Sequence, residues 1–310
     1  MSLAVVAIGG NSLSRAEQVG TIAEQWDNAA HTCRSLADLI EKGWDVVVTH
    51  GNGPQVGQAL RRVELARGHV YPLPLYICDA DTEGGIGFML QQILGNELTH
   101  RGVKRTVSTL ITQVRVDPND QAFSNPTKPI GQFYSAEDAR TRSEQDGWQM
   151  REDAKRGWRR VVPSPMPIEI VELDAVRRCV QGGIIPIAVG GGGVPVVLRN
   201  GKLEGVEAVI DKDLASALLA RELRADLLVI ATAVESVQVG FGTPAARSLR
   251  AVEREEMRRY AAAGEFPAGS MGPKIQAALQ FLDHGGKRVV ITDPEHLGSA
   301  AAGEAGTHIY

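Results

Sequence analysis

The sequence predicts an α/β fold: a largely parallel central sheet sandwiched between helix layers, with a small lobe inserted into it. Apolar runs of strand length alternate with amphipathic helical stretches, the pattern that strand–helix–strand crossovers impose. Polar, glycine-rich loops follow the strands, where ligands of open parallel sheets bind. One stretch, from about Pro118 to Pro167, breaks the rhythm. At 310 residues the chain can bury one large core, and we read 1–310 as a single domain carrying a lobe at 118–167.

Taken in order, Leu3–Ile8 is a continuous apolar run, as expected of a strand covered on both faces. Ile22–Lys42 places Trp26, Ala29, Cys33, Leu36 and Ile40 on one helical face, and Gly43 stands where a helix ends. Trp44–Val48 is the second strand and runs into His50-Gly51-Asn52-Gly53-Pro54. A helix starts near Gln55, another covers roughly Gly87–Thr99, and Val107–Val116 reads as a strand. The 118–167 segment is rich in Pro, Asp, Arg and Gln; its Arg151–Arg160 run reads as a solvated lobe face. The rhythm returns with a helix near Asp174–Gln181, the strand Ile184–Val189 and the glycines Gly190–Gly193. Asn200-Gly201 marks a hairpin. A helix then opens at Asp211-Lys212-Asp213, followed by the strand Asp226–Ala231. Helices around Val252–Ala263 and Gly272–His284 and the strand Arg288–Thr292 complete the pattern.

Composition excludes several functions. A net charge of −4 does not favour a nucleic-acid or anionic-membrane surface, so a multiply charged ligand needs a local basic pocket. Cys33, Cys78 and Cys179 are scattered and odd in number, which fits a reducing compartment and buried apolar roles rather than disulfides. The N-terminus enters its first strand without a basic start or a long apolar run, and no apolar stretch approaches membrane-spanning length. A cytoplasmic protein is expected. The seven histidines show no metal-ligand spacing, no GxSxG elbow occurs, and no metal held by the chain itself is expected.

The chemistry lies in the loops and in misplaced lysines. Gly9-Gly10-Asn11-Ser12 follows strand one and Gly51-Asn52-Gly53 follows strand two; neither is a Walker or a dinucleotide-binding motif. Either loop alone can be a tight turn. Together with Gly190–Gly193, they read better as a phosphate cradle, since small residues let backbone amides approach an anion. Lys212 sits in the first turn of its helix, where a cation opposes the helix dipole. Alone it passes for a solvated surface lysine. Lys274, in Gly269-Ser270-Met271-Gly272-Pro273-Lys274, repeats the anomaly, and an anion shared by the two explains both. Asp213 can hold such lysines in place. Lys128, stiffened by Pro126 and Pro129 in the inserted lobe, is on spacing alone equally an exposed loop lysine.

These motifs, in this order, closely resemble the carbamate kinases, a branch of the amino acid kinase family. The resemblance runs nearly end to end, through Ile8–Asn11, Thr49–Gly57, Asn125–Gly131, Arg160–Pro165, Gly205–Asp213, Phe241–Pro244 and Gly269–Lys274. It implies an open αβα sandwich, a homodimer and Mg-ATP bound over the C-terminal half of the sheet. The inserted lobe closes over the acceptor site and Lys128 reaches in. Lys212 and Lys274 contact the transferring phosphoryl and Asp213 organises them. Gly9, Gly10, Asn11, Gly51, Asn52 and Gly53 bind acceptor or phosphate, while Thr232, Val237, Phe241, Gly242, Met271 and Lys274 serve the nucleotide. The implied reaction interconverts ATP and carbamate with ADP and carbamoyl phosphate, in the ATP-forming direction and within arginine metabolism. Carbamate is already anionic, so its attack on a γ-phosphate needs charge compensation rather than a general base.

The sequence departs from the branch at Thr82-Glu83-Gly84, where Gln usually replaces Glu83, at Met166, commonly Lys, and within Thr232–Gly240. Glu83 adds a carboxylate to a region expected to face the acceptor. It favours, as an alternative, a related kinase for another small carboxylate or carbamate-like acceptor; a nucleotide- or metabolite-binding regulator with little turnover is the second alternative, against which the joint retention of Lys128, Lys212, Asp213 and Lys274 argues.

Overall fold

The structure, a computed structural model, describes residues 2–14, 18–152, 157–267 and 270–310. Along the chain the elements are β1 (Leu3–Ile8), α1 (Ile22–Glu41), β2 (Asp45–His50), α2 (Gly53–Leu65), α3 (Leu75–His100), β3 (Val107–Thr109) and β4 (Gln113–Val116). The next stretch holds α4 (Gln121–Ser124), β5 (Lys128–Tyr134), α5 (Ala136–Asp146), β6 (Met150–Glu152), β7 (Trp158–Val162) and β8 (Pro167–Ile170). Then come α6 (Leu173–Gln181), β9 (Ile185–Ile187), β10 (Val194–Arg199), β11 (Lys202–Gly205), α7 (Lys212–Leu223) and β12 (Leu227–Ala231). The chain ends with β13 (Gln238–Val239), β14 (Arg247–Ser248), β15 (Ala251–Val252), α8 (Arg254–Ala262), α9 (Met271–Asp283), β16 (Val289–Thr292), α10 (Leu297–Ala302) and β17 (Thr307–Ile309).

The main sheet has the strand order β15-β17-β16-β12-β1-β2-β9-β3. Every pairing in it is parallel except β16 with β17. β1 lies in the middle, which explains its unbroken apolar character. Its alternate side chains enter opposite cores: Val5 joins the layer of α7 and α9, while Ala4, Val6 and Ile8 join that of α1 and α3. Helix α1 starts at a capping box, in which Thr21 accepts the Glu24 amide and the Glu24 carboxylate accepts the Thr21 amide. A second sheet, β11-β10-β4-β8, packs through β8 on α7 and through β10 on α3, and its β10–β11 hairpin turns at Asn200 and Gly201, both at positive φ.

The inserted segment forms its own antiparallel sheet, β5-β7-β6, with α5 packed on it. Residues 153–156 of the Arg151–Arg160 run lie outside the described residues. Within the run Arg160 is half-buried: its guanidinium stacks 4.8 Å over the Trp148 ring, and burial pushes its pKa down. The lobe meets the main body where β5 crosses α2. A Cβ on Gly57 would stand 3.1 Å from the Gly131 Cα, so the crossing is close enough to require glycine.

Two expectations need correction, and two elements were not expected. The helix expected at Gly87–Thr99 begins at Leu75; after an apolar first turn its Asp79–Gly85 stretch is polar and ends in a glycine pair, and burial rather than propensity makes it helical. Val107–Val116 is two strands in two sheets, separated at Leu110–Thr112. The C-terminal α10 and β17 were not legible, because Leu297–Ala302 is a short run of small residues and β17 spans three residues.

Candidate active site

The carboxyl ends of β1, β2 and β12 and the first turns of α2 and α7 meet at one place. Gly10 opens a short 3₁₀ turn after β1 and Gly53 opens α2, so amides of both first turns lie outside the hydrogen-bond ladder of their own helices. Gly51 joins the loops: a Cβ there would stand 3.2 Å from the Gly10 nitrogen and 3.6 Å from Cδ of Lys212. Gly9 packs on the end of β12, where a Cβ would come within 2.8 Å of the Ala231 carbonyl oxygen. Backbone excludes a side chain at Gly9, and at Gly51 backbone and lysine stem leave only tight room for one.

Helix α7 carries the charges. Oδ1 of Asp211 accepts the Asp213 amide at 2.9 Å, capping the helix, and its Oδ2 receives the Lys128 ammonium at 2.8 Å. Asp213, almost fully buried, pairs one carboxylate oxygen with Lys212 and the other with Lys274 at 3.2 Å. Burial works against the Asp213 charge, yet the two ammonium groups hold its pKa down at about 2. Burial likewise pushes Lys212 down, opposed by Asp213. The structure thus brings Lys212, Asp213 and Lys274 into one cluster, with Lys128 attached to its rim through Asp211.

Beneath the second loop lies a buried polar layer. The Asn52 side chain donates to Asp79 Oδ1 at 3.2 Å and to Thr82 Oγ1 at 3.0 Å, so it is turned into α3. His50 is fully buried, with Nδ1 3.1 Å from the Gly51 carbonyl, and burial pushes its pKa down to about 4. Burial raises Asp79 well above the carboxylate range. Glu83, against expectation, does not face the loop opening. Its Oε1 accepts from Thr112 Oγ1 at 2.5 Å and from the Gly190 amide at 2.9 Å, and burial lifts its pKa to about 8.

The other expected positions divide. Thr232 directly follows β12, its amide bonded to the Thr292 carbonyl at 2.8 Å and its Cα in reach of Gly9. Phe241 and Gly242 lie on an exposed turn. Met271 and Lys274 start α9, half-buried beside the cluster; Gly269 of that motif lies outside the described residues. Val237 differs from these: its side chain is buried in the core and its amide donates to Thr307 Oγ1 at 2.8 Å, so neither faces a ligand in this structure. Gly190–Gly193 also differs from a phosphate loop. The amides of Gly190, Gly192 and Gly193 bond to Glu83, Val189 and Gly190 respectively. Sequence reasoning missed Asp211, whose capping role hid its second partner.

Comparison with known proteins decides the lineage. The sequence model of the amino acid kinase family matches residues 2–293. The chain belongs to the amino acid kinase family. Within that family it is 48% identical to a carbamate kinase of Pyrococcus horikoshii over 98% of each chain. It is 49% identical to the carbamate kinase-like protein YahI of Escherichia coli, over 99% of this chain and 98% of that one. Its fold superposes on the carbamate kinase of Giardia lamblia bound to AMP-PNP with a TM-score of 0.93 at 39% identity, covering 99% and 98% of the two chains. The αβα sandwich and the kinase class therefore stand as read. No helix among the described residues is long and apolar enough to cross a membrane.

Proposed function

We propose that this amino acid kinase interconverts ATP and carbamate with ADP and carbamoyl phosphate. One observation carries the reading. Lys212 and Lys274 converge on buried Asp213 beside the Gly10–Gly51 contact, in a chain that matches a carbamate kinase over nearly its whole length. A carbamate oxygen attacks the γ-phosphorus while the bond to the β–γ bridging oxygen breaks; in reverse, the terminal oxygen of ADP attacks the phosphorus of carbamoyl phosphate.

Lys212 and Lys274 offset charge on the equatorial oxygens, and Asp213 keeps the two ammonium groups side by side. The first-turn amides at Gly10, Asn11 and Gly53 orient acceptor and phosphate, while Gly9, Gly51 and Asn52 shape the two loops, the Gly51 amide being bonded to the Ile8 carbonyl at 2.9 Å. Lys128, carried by the 118–167 lobe, closes the acceptor side. Thr232, Phe241, Gly242 and Met271 border the nucleotide. No proton needs removal from the nucleophile, and neutral, buried His50 fits that economy. Magnesium travels with the nucleotide and offsets phosphate charge there. Both Asp213 oxygens are committed to lysines, and no cluster of three metal-binding side chains occurs among the described residues. A cytoplasmic homodimer working in the ATP-forming direction completes the reading.

A coupled assay of ATP formation from ADP and carbamoyl phosphate tests it. Turnover supports the proposal. ATP formation from acetyl phosphate but not carbamoyl phosphate assigns a different acceptor, the reading that kinship with a protein named only carbamate kinase-like keeps open. Nucleotide binding without any turnover assigns a regulator.

A further inference from the structure

The backbone just after β9 is unusual. Val189 has φ 54 and ψ 36, a left-handed conformation that a β-branched residue rarely adopts. Such outliers persist only when their surroundings over-determine them, and they concentrate where function needs a fixed geometry. The surroundings here can be named. The Val189 amide donates to Thr112 Oγ1 at 2.6 Å, which leaves that hydroxyl proton for Glu83 Oε1 at 2.5 Å. The next amide, of Gly190, donates to the same carboxyl oxygen at 2.9 Å, and the Thr112 amide lies 3.3 Å from both carboxyl oxygens. One side chain from α3 therefore gathers the two consecutive amides of the turn, one directly and one through a hydroxyl.

The turn in turn supports the site. A Cβ on Gly190 would lie 2.4 Å from His50 Nε2, one on Gly191 2.3 Å from Asn52 Nδ2, and one on Gly192 2.5 Å from the Ile210 carbonyl oxygen. Its bare backbone is thus packed against the residue before Gly51, against Asn52 itself, and against the residue that precedes Asp211 and Lys212. A shift of the turn by a few tenths of an ångström moves both the acceptor loop and the start of α7.

We propose that Glu83 is a positioning residue: by fixing the strained Val189–Gly193 turn through Thr112 and Gly190, it sets the distance between the Gly51–Gly53 loop and Lys212. The idea deepens the carbamate kinase reading and rests on it for the reaction, while its structural half stands apart. Glu83 touches no reacting atom. It acts through a backbone that two halves of the site share.

The experiment pairs kinetics with local hydrogen exchange. Glu83→Ala should lower kcat/KM for carbamoyl phosphate by about a hundredfold, the scale of a small misplacement of reacting groups. Exchange should quicken in peptides covering 188–194 and 50–57, while β1 and β12 stay protected. Glu83→Gln, which keeps an acceptor oxygen for Thr112 and Gly190, should recover most of the rate and the protection. If Glu83→Ala does not fold, Thr112→Val, which removes only the bridging hydroxyl, should show the same local pattern with a smaller loss of rate. Unchanged kinetics and exchange in Glu83→Ala, a loss of protection spread evenly over all peptides, or a Gln variant as impaired as Ala would each overturn the proposal. Should wild-type protein make no ATP from carbamoyl phosphate, the reaction assignment fails, and the exchange pattern alone still decides whether Glu83 holds the turn.

Discussion

Replacing Asp213 by Asn is the sharpest test of the charge cluster. The carboxylate gives one oxygen to each lysine. An amide keeps one acceptor and turns an NH₂ donor toward the other ammonium, so one contact becomes donor against donor and both lysines lose their counter-charge. The lysines hold Asp213 at about 2, below its ordinary 3.8, which sets the sign of the effect: the folded state loses stability when the carboxylate goes. Removing one partner of a buried ion pair typically costs about 3–5 kcal/mol. Unfolding entropy for 310 residues is about 0.65 kcal/mol per kelvin, so the midpoint should fall by roughly 4–8 °C.

Thermal unfolding followed by intrinsic fluorescence at pH 7.5 measures that shift, and two further readings test its cause. An anion can replace the lost carboxylate, so AMP-PNP should raise the midpoint of Asp213→Asn by more than it raises that of wild type. Raising the pH should narrow the gap between the proteins. Burial already depresses Lys212, and without Asp213 its folded pKa falls further below its unfolded value; the unfolded chain then binds the extra proton, and stability gains as pH climbs through that window. Turnover should drop by about 10²–10³, the scale seen when a group stabilising transition-state charge is disturbed. A midpoint within 1 °C of wild type, with no added response to AMP-PNP, would refute the view that this carboxylate exists to balance the lysines.

Other perturbations follow from the same geometry. Lys212→Ala and Lys274→Ala should each lower kcat by at least about a hundredfold with the fold retained by circular dichroism; near-normal turnover in either removes it from the proposed chemistry. Asp211→Asn keeps a capping oxygen for α7 but loses the charge that receives Lys128, so KM for carbamoyl phosphate should rise while the unfolding midpoint barely moves. A fall in midpoint with unchanged KM would make Asp211 a cap and nothing more. Glu83→Gln should flatten the alkaline side of the stability profile. Glu83 keeps its proton to about pH 8 when folded and releases it near 4.5 when unfolded, so wild-type stability falls as pH rises across that window, by about 5 kcal/mol at most. The difference between variant and wild-type midpoints, measured at pH 6 and pH 9, isolates this group from Asp79 and His50 beside it; equal differences at both would show Glu83 ionised throughout.

Where the chain was legible, a local rule either held over many residues or was visibly broken. Helix α1 was readable because twenty residues repeat one apolar face between a cap and Gly43. The β10–β11 turn was readable because Asn200-Gly201 accepts positive φ on both residues. Lys212 and Lys274 stood out because cations at helix starts oppose the dipole, and the structure brings them together on one carboxylate. Asp211 passed unnoticed for the converse reason: an aspartate before a helix satisfies its rule completely, and its second oxygen is free to do something the rule does not mention.

Direction was the harder inference. Glu83 and Asn52 were both placed near the acceptor loop, and both are there, but their side chains turn inward, toward Thr112 and the Gly190 amide and toward Asp79 and Thr82. Val237, expected beside the nucleotide, points into the core. In a helix or strand the period tells which way a residue faces; at the irregular ends of strands no period exists, and facing is decided by partners about a hundred residues away in one case and dozens in the others. Gly190–Gly193 shows the consequence most clearly. Four glycines after a strand can admit a phosphate or admit neighbouring backbone, and the same absence of Cβ serves both. Here the space a side chain would fill is taken by His50, Asn52, Ile210 and Val114, so the glycines bring two halves of the site together instead of making a third cradle.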